Sequence, residues 1–269
     1  MREAVRLLEE AFDAWQGGQG GNQVRRRLIE PDGAILHSMA GWTGKYYGTK
    51  FYSSGKSGAT FWFYLFERGT GRPLASFDAN WLGQIRTGAA TGLAVKRLSN
   101  PEARTLAIIG GGFQAQSQID AVRCVRPDID EVRIYTRTPA TRRNCDTAED
   151  AVRGADIVVT ATNAREPVLD AAWVLDGTVV AAIGSNHALR REVPDELLSR
   201  ASRIVADSAE ACKIEAGDLI LAKVDWNRVE DLKDARTEWV DEGVTLFKSV
   251  GLGIEDVAVA GYVYERMTG

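Results

Sequence analysis

Residues 105–125 hold the feature that most restricts what this chain can fold into. Thr105–Ile109 (TLAII) is a short, continuous apolar run, the pattern of a strand buried on both faces of a parallel sheet. It leads into Gly110-Gly111-Gly112-Phe113-Gln114-Ala115, and a segment with helical periodicity follows from Gln114 to Val125. The loop has the form G-x-G-x-x-A between strand and helix. Gly110 serves the tight turn, Gly112 lets the backbone approach a pyrophosphate, and Ala115 permits close helix–strand contact. The helix start then offers free N–H groups and the positive end of its dipole to phosphate. A bare glycine motif is weak evidence, and a tight turn in a ligand-free domain of the same type competes with it. In this strand–loop–helix setting the motif points to a bound dinucleotide.

The same grammar continues downstream. Glu131–Tyr135, Asp156–Ala161, Val179–Ile183 and Arg203–Ala206 read as strands, with Arg203–Ala206 the last, and Ala148–Arg153 reads as a short helix. Strands alternating with helices imply a Rossmann-type parallel sheet. One stretch departs from the pattern. Only about ten residues separate Arg137 from Thr147, where helix, strand and helix are expected; a crossover alone needs a dozen or more. Either the sheet lacks a strand or residues near Asn144–Cys145 are missing from this sequence.

The N-terminal region follows another pattern. Residues 1–16 carry apolar residues at helical spacing (Val5, Leu8, Phe12, Trp15), unlike a signal peptide. Gly17–Gly21 form a flexible break. Short alternating runs then extend from Val24 to Phe66, with a further strand at Leu74–Asp78, as in an antiparallel sheet. Residues 81–98 return to helical periodicity, and Asn100-Pro101 ends that helix. A last helix, Gly253–Arg266, is expected to pack back on this first region. The fold class is therefore α/β: a Rossmann-type parallel sheet domain (residues 101–245) plus an α+β domain formed by residues 1–100 and 246–269.

Composition narrows the function. With 33 Lys and Arg against 37 Asp and Glu, the net charge is −4, which gives no footprint for nucleic acid or an anionic membrane. No apolar run reaches the ~18 residues of a membrane span. Three widely spaced cysteines suggest free thiols in a reducing cytoplasm. The two histidines, His37 and His187, have no metal-ligand spacing, and there is no G-x-S-x-G elbow.

At the end of the second strand, where an acid would bind the ribose 2′-OH of NAD, the chain reads Tyr135-Thr136-Arg137-Thr138, with Arg142 and Arg143 beyond. Arg137 can pair bidentately with a 2′-phosphate, which favours NADP(H) over NAD(H); a solvated loop is the competing reading. Other cations lie outside the Rossmann region. Arg25, Arg26 and Arg27 open a strand, with Arg25 and Arg27 on one face. Lys50 lies on another strand, and Arg86 in the small-residue helix. A solvated face is the default for such charges, but Lys50 and Arg86 sit in apolar or small-residue surroundings where a binding role is equally open.

IRTGAATGLA, IIGGGFQAQSQ, ADIVVTAT and TLFKSVGLGIEDVAVA together resemble the ornithine cyclodeaminase/μ-crystallin family, in the family's order and over nearly the whole chain. The resemblance implies a homodimer in which the N-terminal sheet and last helix form the dimerisation and substrate domain. It implies that Arg25, Lys50 and Arg86 receive the carboxylate of a small amino-acid or imino-acid substrate, Arg25 being the less sharply matched because Arg26 and Arg27 adjoin it. Thr87, Gln114, Thr162, Arg190 and Ser249 match family positions that touch the cofactor, alongside Gly110, Gly112 and Phe113 of the loop. Thr136-Arg137-Thr138 looks like the family's NADP-binding version. His37, Ser38, Trp42 and Tyr46 are expected to line or border the pocket. Set beside the family, the chain starts late and is short near Asn144–Cys145 and between about Ala222 and Gly243, which reads as omitted segments.

One departure bears on the chemistry. Where cyclodeaminases and the archaeal alanine dehydrogenases carry an aspartate, this chain has Asn186 in Ile183-Gly184-Ser185-Asn186-His187. An amide takes no proton at neutral pH. The expectation moves from ornithine cyclisation to the NADPH-using ketimine reductase branch: hydride transfer to the Cα of an imino acid, or the reverse, with Lys50 or an ordered water as proton donor. The alternatives are a cyclodeaminase that uses NAD+ catalytically, and a dimeric NADP(H)-binding protein without catalysis. His187 and His37 read more simply as structural or solvent-exposed, and Asp207 as the cap of the helix after it.

Overall fold

The computed structural model describes residues 1–56, 58–138 and 143–269. They form two compact units: Glu3–Arg86 with Gly251–Gly269, and Thr87–Val250 with Met1–Arg2. Arg142, one of the basic residues beyond the second Rossmann strand, lies outside the described residues.

The chain opens with helix α1 (Arg2–Gln16), whose stripe of Val5, Leu8, Ala11 and Phe12 is buried. Five strands follow: β1 (Gly20–Ile29), β2 (Ile35–Thr43), β3 (Tyr46–Gly55), β4 (Gly58–Glu67) and β5 (Pro73–Asp78). They pair in sequence order as an antiparallel sheet. β1 begins at Gly20, inside the stretch that reads as a flexible break. Helix α2 (Asn80–Leu98) comes next.

The second unit is a seven-stranded sheet in which every pairing is parallel. In chain order its elements are β6 (Thr105–Ile109), α3 (Ala115–Val125), β7 (Glu131–Tyr135), α4 (Ala148–Val152), β8 (Ile157–Thr160), β9 (Val179–Ala182), α5 (Asp195–Arg200), β10 (Ala201–Ala206), α6 (Ala209–Glu215), α7 (Gly217–Leu221), β11 (Val229–Asp231) and β12 (Val244–Lys248). The strand order is β11-β10-β12-β9-β8-β6-β7. β6, β8, β9 and β12 are buried at every position, as expected for strands covered on both faces. The chain closes with α8 (Gly253–Thr268) in the first unit.

One expectation needs correction. Arg203–Ala206 is not the last strand: β11 and β12 follow, and β12 inserts between β10 and β9. Its apolar run, Val244–Phe247, is visible in the sequence but is broken by Thr245 and runs into a glycine-rich segment that reads as a lead-in to the last helix. Among the described residues β7 is the outermost strand, and α4 is the helix that comes before β8 on the far side of β6; residues 139–142 of this short crossover lie outside the described residues.

In the first unit, α8 covers one face of the antiparallel sheet. Val257 and Ala260 pack with Phe63, Leu65 and Ala79, bordered by Tyr46, Phe61 and Phe77. Cross-strand partners share a face. Met39 pairs with Lys50 and His37 with Tyr52, so the buried residues His37, Met39, Lys50 and Tyr52 form one face. Leu36, Phe51, Trp62 and Tyr64 belong to the opposite face and are 39–46% exposed.

Candidate cofactor and substrate sites

Because the Rossmann sheet is all parallel, its strands end on one edge. The segments following β6, β7, β8, β9 and β12 there are Gly110–Gln114, Thr136–Thr138, Thr162, Ser185–Asn186 and Ser249. The chain moves from β6 outward to β7, then returns to β8 on the other side of β6. That reversal opens the crevice in which open α/β sheets bind ligands.

The phosphate loop suits a pyrophosphate. Gly110 has φ +115°, and a Cβ there would meet the Ala161 carbonyl oxygen at 2.5 Å, so turn and close approach both demand glycine. At Gly112 a Cβ would have no neighbour within 4 Å; the residue keeps open space beside the loop. Ala115 is fully buried, as helix–strand contact requires. Gln114, the N-cap residue of α3, makes no side-chain cap, so the helix start is available to an external anion. Phe113 is 54% exposed. These features fit a dinucleotide, which would supply a hydride at its nicotinamide.

Arg137 and Thr138, at the end of β7, are exposed, and Thr136 is half-buried. Arg143 is engaged locally: it stacks over Tyr135 at 5.3 Å and donates to the Cys145 carbonyl at 2.8 Å. Thr162 donates its hydroxyl to Glu192 at 2.7 Å, and Ser249 donates to Asp207 at 2.8 Å. Thr87 is buried on α2, where Gly88 lies against the start of α3. Arg190 is half-buried, and its amide donates to the His187 carbonyl at 3.0 Å. Asn186 and His187 are exposed, and His187 Nδ1 accepts from the Leu189 amide at 3.1 Å. Asp207 does not cap the following helix; Ser208 does, accepting from the Ala211 amide. Asp207 instead accepts from Ser249 Oγ and the Val250 amide, both at 2.8 Å, tying the ends of β10 and β12 together.

The antiparallel unit contains a separate polar cluster. Lys50, 2% exposed, reaches both carboxylate oxygens of Asp256, at 2.9 and 2.7 Å. Arg86 pairs with Glu255 at 2.9 Å and with Asp256 at 3.3 Å. Arg25, 7% exposed, donates to the Gly251 carbonyl at 3.2 Å. Glu255 and Asp256 open α8, where the helix dipole favours carboxylates. Arg25, Lys50 and Arg86 thus share one unit with Glu255 and Asp256, and the cluster pairs Lys50 with Asp256 and Arg86 with Glu255. Burial pushes the Lys50 ammonium down to about 8, Arg86 pushes the same way, and Asp256 opposes them. The two acids escape notice in the sequence, although an adjacent pair at the head of the apolar helix GIEDVAVA is a signal of buried charge.

The residues expected to border a pocket divide between the two faces. His37 shares the Lys50 face; it stacks on Tyr52 at 4.0 Å and hydrogen-bonds Ser54 Oγ at 2.9 Å. Burial, then Arg27 and Arg25, lowers its pKa to about 4, so the ring is neutral at neutral pH. Tyr46 is on the same face and donates its hydroxyl to Glu265 at 2.8 Å. Ser38 and Trp42 lie on the other face, where Arg68 stacks over Trp42 at 3.9 Å.

Comparison with known proteins gives the family and the fold. The model of the "Ornithine cyclodeaminase/mu-crystallin family" matches residues 1–269. The chain belongs to this family. Among its curated relatives, the Δ1-pyrroline-2-carboxylate reductase of Bacillus cereus is 36% identical over 225 residues, covering 73% of this chain and 68% of the relative. The alanine dehydrogenase of Archaeoglobus fulgidus is 34% identical and covers 99% and 90%. The ketimine reductase mu-crystallin of Rattus norvegicus is 33% identical and covers 75% and 67%. Among solved structures, Thermococcus litoralis Δ1-pyrroline-2-carboxylate reductase in complex with NADH and L-proline superposes with TM-score 0.91 at 27% identity, covering 98% and 92%. An archaeal alanine dehydrogenase dimer with bound NAD gives 0.89 at 31%, covering 98% and 90%. Both carry the same two-part α/β fold. No described helix of this family member is long and apolar enough to cross a membrane.

Proposed function

We propose that this chain is an NADP(H)-dependent imine reductase acting on a small imino acid, and that it runs the reverse amino-acid dehydrogenation under oxidising conditions. The observation that carries this reading is the cluster of Arg25, Lys50 and Arg86 with Glu255 and Asp256, in which Lys50 is 2% exposed. A substrate carboxylate meets charge-assisted donors among these cations. Arg86 and Arg25 hold the carboxylate, which orients the neighbouring C=N carbon. Lys50 holds a proton at Nζ and passes it to the imine nitrogen as hydride arrives at Cα, so the C=N bond becomes CH–NH. Neutral His37 and its stacked Tyr52 add no charge to this face. Asn186 accepts no proton, which counts against cyclodeaminase chemistry.

Arg137, on an exposed strand end with no acid in Tyr135–Thr138, supports NADP(H) over NAD(H). The exposed apolar face of Leu36, Phe51, Trp62 and Tyr64 supports a homodimer, and three free cysteines support a reducing cytoplasm.

A panel of cyclic imines, and of 2-oxo acids with amines, tests the function by loss of NADPH absorbance. We expect turnover of at least one imino acid of the panel, falling about 10²–10⁴-fold in Lys50→Ala. Ammonia release from ornithine without net NADPH change would favour the cyclodeaminase reading. Tight NADPH binding with no turnover across the panel would leave a binding protein.

A further inference from the structure

The Rossmann unit contains a second buried ionic group, separate from the substrate cations. Glu192, Asp218 and Lys248 are each fully buried. Glu192 Oε1 accepts from both the amide and the hydroxyl of Thr162, each at 2.7 Å, and Oε2 accepts from the Gly184 amide at 2.7 Å. Lys248, the last residue of β12, donates to the Ser185 carbonyl at 2.8 Å and pairs with Asp218 at 2.7 Å. Asp218 Oδ1 accepts from the amides of Glu192 and Val193 at 2.6 and 3.1 Å. The result is a closed brace: the Glu192 side chain joins the ends of β8 and β9, and Lys248 with Asp218 joins β12 to the segment carrying Glu192.

The chemistry of the brace is one-directional. Three donors converge on Glu192, so its ionised form fits, although burial pushes its pKa up against the pull of Lys248. Burial also opposes the charged form of Asp218, but Lys248 and two backbone amides more than offset it and hold the carboxyl below its usual range. At Gly184 there is no room for a side chain, since a Cβ would overlap the Thr162 backbone and the Glu192 carboxylate. Because Thr162 gives its hydroxyl proton to Glu192 and also receives the Ala164 amide at 3.2 Å, its oxygen faces any further partner only as an acceptor.

These strand ends have a defined place along a bound dinucleotide. With the pyrophosphate at the β6 loop and the 2′-phosphate at β7, sheet order carries the nicotinamide half toward β8 and β9. We infer that Glu192 is a positioning residue for the nicotinamide half of the cofactor: it fixes Thr162 and the Gly184–Asn186 segment as a preformed acceptor surface, with Lys248 and Asp218 holding Glu192 in place. This rests on the reading that the unit binds NADP(H).

The test compares two nucleotides on the intact protein by fluorescence titration and calorimetry: NADPH, and 2′-phospho-ADP-ribose, which lacks the nicotinamide. In Glu192→Gln, an amide N–H confronts the converging donors. We expect NADPH to bind about tenfold more weakly with 2′-phospho-ADP-ribose unchanged. Thr162→Val, a milder change that keeps the brace to Gly184, should show the same selective loss at about threefold, and should add little to Glu192→Gln in the double variant. Equal weakening of both nucleotides in Thr162→Val, or none, overturns the inference and leaves cofactor binding intact. A parent protein that binds neither nucleotide overturns the cofactor reading beneath it.

Discussion

Lys50 shows how a side chain's surroundings set its chemistry. Its ammonium is held in a buried site beside two arginines, and its pKa falls to about 8 from an ordinary 10.5 even with Asp256 in contact. The group is charged below about pH 8 and neutral above it. If Lys50 is the proton donor, the reductive kcat/KM falls as pH rises through about 8, and that limb disappears in Lys50→Met; a pH–rate profile checks it. Stability should move the other way. Between about pH 8 and 10.5 the unfolded chain keeps a proton on Lys50 that the folded chain has released, so folding free energy becomes more favourable across that window. Thermal melts across the same pH range would then separate lost chemistry from lost fold. Arg137 carries a second residue-scale prediction. Arg137→Ala should lower the preference for NADPH over NADH by about tenfold, the loss of one charge-assisted pair, while kcat with NADH stays within a factor of two or three. Kinetics with the two cofactors read this directly.

At the scale of elements, the β6–α3 turn holds one glycine that the fold itself demands and one that the proposed cofactor site would need. Gly110 combines positive φ with backbone contact to the β8 end, so Gly110→Ala should destabilise the protein by about 1–3 kcal/mol. Gly112 faces open space. Gly112→Ala should therefore leave the melting temperature within a degree or two and weaken NADPH at least about tenfold, because the new methyl occupies the phosphate's position. Equal effects on stability in the two variants would remove the distinction. This element was legible in the sequence because a strand, a tight turn and a helix start are written in contiguous residues. β12 was not: a five-residue buried strand has too little periodicity to separate from a helix lead-in, and only its neighbours β9 and β10 define it.

For the whole molecule, the sheet face opposite α8 is the feature that one chain leaves unresolved. Phe51 and Trp62 pair across β3 and β4, flanked by Leu36 and Tyr64, all well exposed. Trp62→Arg should turn a dimer into monomers at micromolar concentration in sedimentation experiments, with the monomer keeping its far-ultraviolet circular dichroism. A parent that sediments as a monomer would remove the homodimer reading. By itself the sequence determined the alternation that makes the Rossmann sheet, the glycine-rich turn after β6 and the antiparallel character of the first region. Those depend on backbone periodicity and sterics over a few adjacent residues. Only the tertiary structure decided that Lys50 meets Asp256, 206 residues away, that Arg86 meets Glu255, and that Glu192, Asp218 and Lys248 form one buried brace. Charge, burial and pKa are set by whatever the folded chain brings within a few ångströms, and no local pattern encodes that neighbour.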